Sequence, residues 1–405
     1  MRGHMMDRQT SGMRTREGTA REVFFAFLPL GFTAFGGPVA HLGFFRTAFV
    51  ARLGWLSDAA YADLVALCQF LPGPASSQVG MALGLRRAGL PGLLCAWLAF
   101  TLPSALALGA FGLFLSRSGL DLAGAGWIAG LKAAAVAVVA NALLGMAGTL
   151  AATRARATIA ALAAIAVLLT PWPAATQLAV ILAGGVAGLL LGGVAAPADA
   201  EAVPPRTVSR PIGIGALVLF VLLLAALPVL QSFGGGADLF ARVARAGALV
   251  FGGGHVVLPL LEGELHAMVG EGAFLAGYGA AQAVPGPLFT FAAYLGAVAS
   301  PFGGAAGAAV ALVAIFLPGA LLVVGVMPFW EDLRRSALAL RALAGVNAAV
   351  VGLLAAVFYD PVFLRGVPDQ TSLVVAIAAF CALRFWAVAP WAVVLCAGAA
   401  GWAIL

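Results

Sequence analysis

Two segments of this chain share a glutamine followed three residues later by Pro-Gly-Pro: Gln69-Phe70-Leu71-Pro72-Gly73-Pro74 and Gln282-Ala283-Val284-Pro285-Gly286-Pro287. Both lie inside apolar stretches. Each proline removes a backbone N–H donor and clashes with the preceding turn, and the glycine adds freedom, so neither segment can continue a helix. In lipid, such a break leaves backbone groups unpaired, and it survives only where those groups line a polar cavity or bind something. Past Pro74 the sequence Ala75-Ser76-Ser77-Gln78 predicts a restarting helix. Its unpaired N–H groups and positive dipole end suit an anion, with Ser76, Ser77 and Gln78 adding donors. Past Pro287, Thr290 and Tyr294 are the corresponding donors. The alternative is a pair of proline kinks that only shape packing.

Three further groups could carry chemistry. Gly36-Gly37-Pro38 and Gly252-Gly253-Gly254 interrupt apolar stretches and allow close approach of a ligand or of a neighbouring helix. His41 and His255 follow them, each able to donate to an anion, carry a proton or simply fill an interface. Lys132 lies deep in an apolar span, where a charge is a functional candidate, as counter-charge to an anion or as partner of a carboxylate. Asp58 and Glu271 read as helix caps, and Asp63, Glu262 and Glu264 as residues of a solvated interface. No catalytic carboxylate pair, HExxH, phosphate-binding loop or nucleophile elbow occurs, so an enzyme or an ATP-driven pump is disfavoured. No metal or cofactor site is expected. Cys68, Cys95, Cys381 and Cys396 lack ligand spacing and read as small buried hydrophobes.

The elements that position these residues follow from composition. The chain is 63% hydrophobic and 9% charged with a mean hydropathy of +1.05, against about 25% charged in a soluble domain. This predicts an all-α polytopic membrane protein. Apolar stretches long enough to be membrane elements run over 22–50, 58–86, 90–115, 122–150, 157–170, 174–193, 211–230, 239–266, 271–298, 303–328, 338–358, 370–387 and 388–404, giving about 10–13 elements. Glycine or proline interrupts the first, second, eighth and ninth. Residues 1–21 are polar and arginine-rich and read as a cytoplasmic tail, with no cleaved signal peptide. The net charge of +6 reports topology rather than nucleic acid, since no segment interleaves basic and aromatic residues.

An internal repeat organises the chain. Phe35-Gly36-Gly37-Pro38 stands 216 positions before Phe251-Gly252-Gly253-Gly254, and the two Gln-x-x-Pro-Gly-Pro segments stand 213 apart. Leu102-Pro103-Ser104-Ala105 and Leu317-Pro318-Gly319-Ala320 are offset by 215, as are Gly130-Leu131-Lys132 and Gly345-Val346-Asn347. The expected organisation is a first repeat over 22–193, a polar linker and connecting helix over 194–236, and a second repeat over 237–405. Lys132 then corresponds to the neutral Asn347.

Six elements per repeat plus one connector place the second repeat upside down relative to the first. Arginine supports this. Arg86 and Arg87 follow the first Pro-Gly-Pro element and nothing charged follows the second, whereas Arg334 and Arg335 follow the second Leu-Pro helix. The positive-inside rule puts the N-terminus and the loops at 86–87, 154–156, 206–210 and 334–335 in the cytoplasm, with the C-terminus outside.

Phe35 through His41, Gln69 through Pro74, Phe251 through His255 and Gln282 through Pro287 together resemble the chromate ion transporter family in its long, two-domain form, over roughly residues 22–405. The resemblance implies a cytoplasmic-membrane protein with antiparallel halves that exports chromate, confers chromate resistance and has sulfate as a competitor. The partners expected are a tetrahedral oxyanion and the lipid bilayer, with a homodimer allowed. The reading adopted is a secondary transporter built from two inverted repeats. Its site lies where the breaks meet: Gly36, Gly37, His41, Gln69, Pro72, Gly73, Pro74, Ser76, Ser77, Gln78, Lys132, Gly252, Gly253, Gly254, His255, Gln282, Pro285, Gly286, Pro287, Thr290 and Asn347. The alternatives are an anion channel on the same fold and an intramembrane enzyme.

Overall fold

The computed structural model describes residues 18–34, 37–118, 126–170, 173–191, 208–250 and 257–405. Its first half contains α1 (Ala20–Thr33), α2 (Gly37–Phe45) with a π-helical continuation over Arg46–Arg52, α3 (Asp58–Phe70), α4 (Ala75–Ser118), α5 (Gly126–Leu150), α6 (Arg154–Leu169) and α7 (Pro173–Leu191). The connector is α8 (Arg210–Ser232). The second half contains α9 (Gly235–Leu249), α10 (Val257–Leu265), α11 (Glu271–Ala283) and α12 (Phe291–Val298), the last preceded by a 3-10 turn over Leu288–Thr290. It continues with α13 (Gly304–Val326), α14 (Trp330–Arg335), α15 (Ala337–Val357), α16 (Leu364–Gly366), α17 (Gln370–Arg384) and α18 (Pro390–Ile404). No strand occurs among the described residues.

Among the described residues, five segments are long and apolar enough to cross a membrane: Ala75–Arg117, Ala129–Leu150, Arg210–Ser232, Gly304–Phe329 and Ala337–Asp360. This is a multi-pass, all-α membrane protein. The expected stretches over 58–86 and 271–298 each resolve into two helical pieces with a break between them, and those over 22–50 and 239–266 each contain two short helices among the described residues. A helix of 13 residues such as α3 is about 20 Å long, short of the ~30 Å hydrocarbon core. Such pieces cannot cross singly, which leaves the breaks within the protein.

Local chemistry sets the helix ends. The hydroxyls of Thr19, Ser57, Thr153 and Ser336 accept from the N–H groups of Glu22, Ala60, Arg156 and Ala339, and the Asp369 carboxylate accepts from Ser372. Each satisfies a donor that the first helical turn leaves open. Inside α4, Gly89 sits at φ +66°, a conformation that a side chain resists, and the helix bends there into arms over 75–87 and 90–118.

The order of elements repeats: α1, α2, α3, the two arms of α4, α5, α6 and α7 are matched by α9, α10, α11, α12, α13, α15, α17 and α18. The packing is exchanged between the halves. α5 packs against α17 and α18, the closing hairpin of the second half, and α15 packs against α6 and α7, the closing hairpin of the first. Glycine makes both contacts close. A Cβ on Gly130 would meet the carbonyl oxygen of Ala397, and a Cβ on Gly345 would meet that of Gly184.

At the chain's polar ends, Arg87 pairs with Glu22 at 2.8 Å and its carbonyl accepts from Gly18 N–H at 3.0 Å. Arg210 pairs with Asp332 at 3.0 Å. These contacts set the N-terminal segment beside the 86–87 loop and the connector beside α14. Arg245 pairs with Glu264 at 3.2 Å and Arg242 donates to the carbonyl of Glu264 at 3.0 Å, tying α9 to α10, while Arg242 also pairs with Asp238 of its own helix at 2.6 Å.

Candidate functional site

The two Pro-Gly-Pro breaks dock reciprocally on the opposite half. Gly73 N–H donates to the carbonyl of Val250, the residue that ends α9, at 2.6 Å. Gly286 N–H donates to the carbonyl of Ala34, the residue that ends α1, at 2.9 Å. Gly73 lies against Gly319, whose Cα would be 3.1 Å from an added Cβ, and Gly286 lies against Ser104, whose Oγ would be 2.8 Å from one. Residues 104 and 319 are repeat counterparts. Counterpart positions of the two repeats thus make matching contacts in both directions. Both glycines hold positive φ, +127° and +99°, so each break needs glycine for conformation as well as for space.

These contacts correct one expectation. The N–H groups of Gly73 and Gly286 are not directed at a ligand, because carbonyls of the other half already accept from them. The donors that remain belong to the restarting helix. Gln78 N–H is the first to bond within it, to Pro74 O at 2.8 Å, so the helix leaves the N–H groups of Ala75, Ser76 and Ser77 to other partners.

Side chains concentrate at the same place. His41, Ser76, Ser77, Gln78, Thr101, Ser104 and Thr290 are all buried. His41 Nε2 lies 3.1 Å from Ala34 O and Nδ1 lies 3.3 Å from Ser76 Oγ. A carbonyl only accepts, so Nε2 carries the hydrogen and, in the neutral ring, Nδ1 accepts from the Ser76 hydroxyl. Ala34 O therefore receives both His41 and Gly286, which joins the two breaks through one oxygen. Phe100 stands edge-on to the imidazole at 5.2 Å and packs on Phe45 at 5.0 Å, so this junction sits in an apolar wall.

The Gln78 amide donates to Pro72 O at 2.8 Å and to Gly319 O at 3.4 Å, bracing the break against the opposite half. Its Oε1 is buried without a hydrogen-bond partner, as are the hydroxyls of Ser77 and Thr101. Unsatisfied buried polar atoms are costly in a low-dielectric interior and cluster where something else is to be bound.

The other expected site residues are placed individually. Gln69 is exposed near the end of α3. The Thr290 hydroxyl is committed to Pro287 O at 2.8 Å, within its own turn, so it is not an open donor. Gln282 and Pro285 lie at the end of α11 and in the second break, and Gly37 opens α2 at φ +76°. Gly36, Gly252, Gly253, Gly254 and His255 lie outside the described residues. Asn347 is buried on α15, and no hydrogen bond joins it to the breaks among the described residues.

Lys132, expected at the meeting of the breaks, lines a cavity walled by both halves, of about 30 Å³, with Glu262 and Tyr278 among its walls. α5 packs on α11 of the second half, and residues of α10 and α11 line the cavity with Lys132. Glu262, expected in a solvated interface, is half-buried and lines that cavity. Conversely, Thr101 and Ser104 belong to the buried cluster and were passed over. The signal was present: two hydroxyl residues flank Leu102-Pro103 in the middle of an apolar span.

The chromate transporter family model matches residues 21–189 and again residues 237–402. A chromate transport protein of Pseudomonas aeruginosa is 29% identical over 401 residues, covering 95% of this chain and 92% of that protein. A probable chromate transport protein of Synechococcus elongatus is 28% identical over 398 residues, covering 89% and 94%. A chromate transport protein of Cupriavidus metallidurans is 28% identical over 346 residues, covering 83% and 81%. No solved structure matches the chain. A double match of one family model, falling on the two halves that exchange their helix contacts around the paired breaks, makes this chain a member of the chromate transporter family.

Proposed function

We propose that the chain is a secondary transporter that exports chromate, with sulfate as a competing tetrahedral oxyanion, and so confers chromate resistance on its host. The family and the relatives' names support chromate as substrate. The observation that carries the site is the buried cluster around the first break. There a helix N-terminus is joined by Ser77 Oγ, a buried hydroxyl without a partner, and by the Ser76 hydroxyl held by His41. A dianion there meets N–H and O–H donors and a positive dipole end without needing a fixed lysine.

In this reading the two repeats, 22–193 and 237–405, are antiparallel across the membrane and rock about the shared junction. The reciprocal Gly73–Val250 and Gly286–Ala34 bonds support the two-fold relation, and the single connector α8 supports inversion. The N-terminal segment and the arginine loops lie on the cytoplasmic side of the inner membrane. The Gly18–Arg87 and Arg210–Asp332 contacts support their grouping.

The test is chromate uptake into inverted vesicles containing the protein, with and without excess sulfate. Saturable uptake that sulfate suppresses is the expected result. Conductance without saturation or counter-exchange would instead indicate an anion channel.

A further inference from the structure

The cavity at Lys132 has a counterpart. A cleft of about 600 Å³ in the first half is lined by Leu42, Arg46, Tyr61, Ala62 and Val65, with Asp58. At the repeat offsets, Leu42 corresponds to Leu258, Arg46 to Glu262, Tyr61 to Phe274, Ala62 to Leu275 and Val65 to Tyr278. All five counterparts line the 30 Å³ cavity. The duplicated hairpins α2–α3 and α10–α11 thus form the same cleft twice, once wide and once nearly closed.

What differs is the third wall. In the second half, α5 lies over the hairpin and contributes Lys132, Ala135 and Val139. In the first half, none of the lining residues belongs to α15, the repeat counterpart of α5. The charges differ as well. The narrow cavity carries Lys132 on one wall and Glu262 on another, opposite signs facing a small apolar space where attraction is weakly screened. Neighbouring charges point elsewhere: Glu264 is engaged by Arg245, and Arg242 by Asp238. In the wide cleft, Arg46 is drawn sideways to Asp58 at 2.7 Å, and both are largely exposed.

We infer that these two clefts are the alternate entrances of one path, that this structure holds the Arg46 entrance open and the Lys132 entrance shut, and that Lys132 on α5 and Glu262 on α10 form its latch. The inference rests on the transporter reading above and adds where the entrances are and what closes one of them. A latch present in only one of two duplicated clefts gives the two end states unequal energies. The empty protein then rests with one entrance open. In the other state α15 would close over α2–α3, bringing Asn347 toward Arg46, with no carboxylate at the matching position to hold it.

The experiment uses the full chain with Cys68, Cys95, Cys381 and Cys396 replaced by alanine and single cysteines placed at Ala62→Cys or Leu275→Cys. A membrane-impermeant maleimide is applied to inverted and to right-side-out vesicles, so that each position is read from the face its cleft opens to, and chromate uptake is measured in parallel. Ala62→Cys is expected to react at least tenfold faster than Leu275→Cys. Adding Lys132→Gln is expected to raise labelling at 275 and lower it at 62. The charge exchange Lys132→Glu with Glu262→Lys is expected to restore the original pattern. Where Leu275→Cys does not assemble, Val139→Cys on the facing wall reports the same cavity. Labelling that rises or falls together at both positions, in vesicles that transport chromate, would overturn the latch and leave the transporter reading intact. Reciprocal labelling without chromate transport would keep the entrances and overturn the substrate.

Discussion

His41 on α2 and Ser77 on α4 both belong to the buried cluster and are predicted to fail differently. His41 is bonded at both nitrogens, so His41→Ala leaves Ala34 O short of one donor and the Ser76 hydroxyl without its acceptor. Each buried group left unpaired costs about 1–3 kcal/mol, and the variant should lose both thermal stability and transport. Ser77 Oγ has no partner, so Ser77→Ala removes nothing that the fold uses. It should melt at the parental temperature while chromate affinity falls. A hydrogen bond to a charged group is worth about 1.5–3 kcal/mol, roughly a tenfold to hundredfold weakening. Melting of the detergent-solubilised protein beside vesicle uptake separates the two; parental uptake by Ser77→Ala would remove that hydroxyl from the site. The sequence showed that Ser76, Ser77 and Gln78 follow a helix break because proline and glycine act locally. It could not show that Gln78 would spend its amide on Pro72 and Gly319, since that depends on which strand of backbone arrives opposite.

The helices make the same point at a larger grain. The repeat was legible because duplicated motifs keep their spacing, and the breaks fell where proline and glycine put them. The exchange of closing hairpins was not legible, because order along the chain does not say which half a helix packs against. The small residues that allow the exchange can be tested. On α5, Gly130 meets Ala397 of α18, whereas Gly145 and Gly148 on the same helix face open space. Gly130→Leu should therefore prevent close packing of α5 on α18, with overpacking of about 1–3 kcal/mol or more and a loss of folded protein. Gly145→Leu should be tolerated. Equal yields of monodisperse protein from both variants would contradict the packing. The breaks have their own test. Pro72→Ala with Pro74→Ala restores two backbone donors and permits a continuous helix through residue 73, which pulls Gly73 N–H from Val250 O. Transport should be abolished while membrane insertion persists. Lys132 shows the limit of this level of reading: its depth in an apolar span was plain, but its neighbour Glu262 lies on a short helix of the other half, and nothing local to either residue announces the meeting.

For the molecule as a whole, the decisive quantity is the charge moved per cycle. The site proposed here gathers neutral donors and a helix dipole, and Lys132 stands apart from it facing Glu262. A dianion bound at such a site crosses with its charge uncompensated. One charge moved through 100 mV is worth about 2.3 kcal/mol, so outward movement of a dianion from a negative interior gains roughly 4.6 kcal/mol, about three decades of gradient. Uniport could therefore export without ATP. In inverted vesicles, a lumen made positive by a potassium or proton gradient should accelerate chromate uptake and raise its final accumulation steeply with potential. Exchange of chromate for another dianion, sulfate included, moves no net charge, and accumulation would then follow the sulfate gradient and ignore the voltage. A site with a fixed ammonium travelling beside the anion would give an intermediate slope. Measuring accumulation at several clamped potentials, with sulfate absent or loaded inside, distinguishes these cases. A voltage-independent result without sulfate would mean that a compensating ion crosses with chromate, and would direct attention from the neutral donors of the first break to the titratable groups at the Lys132 entrance.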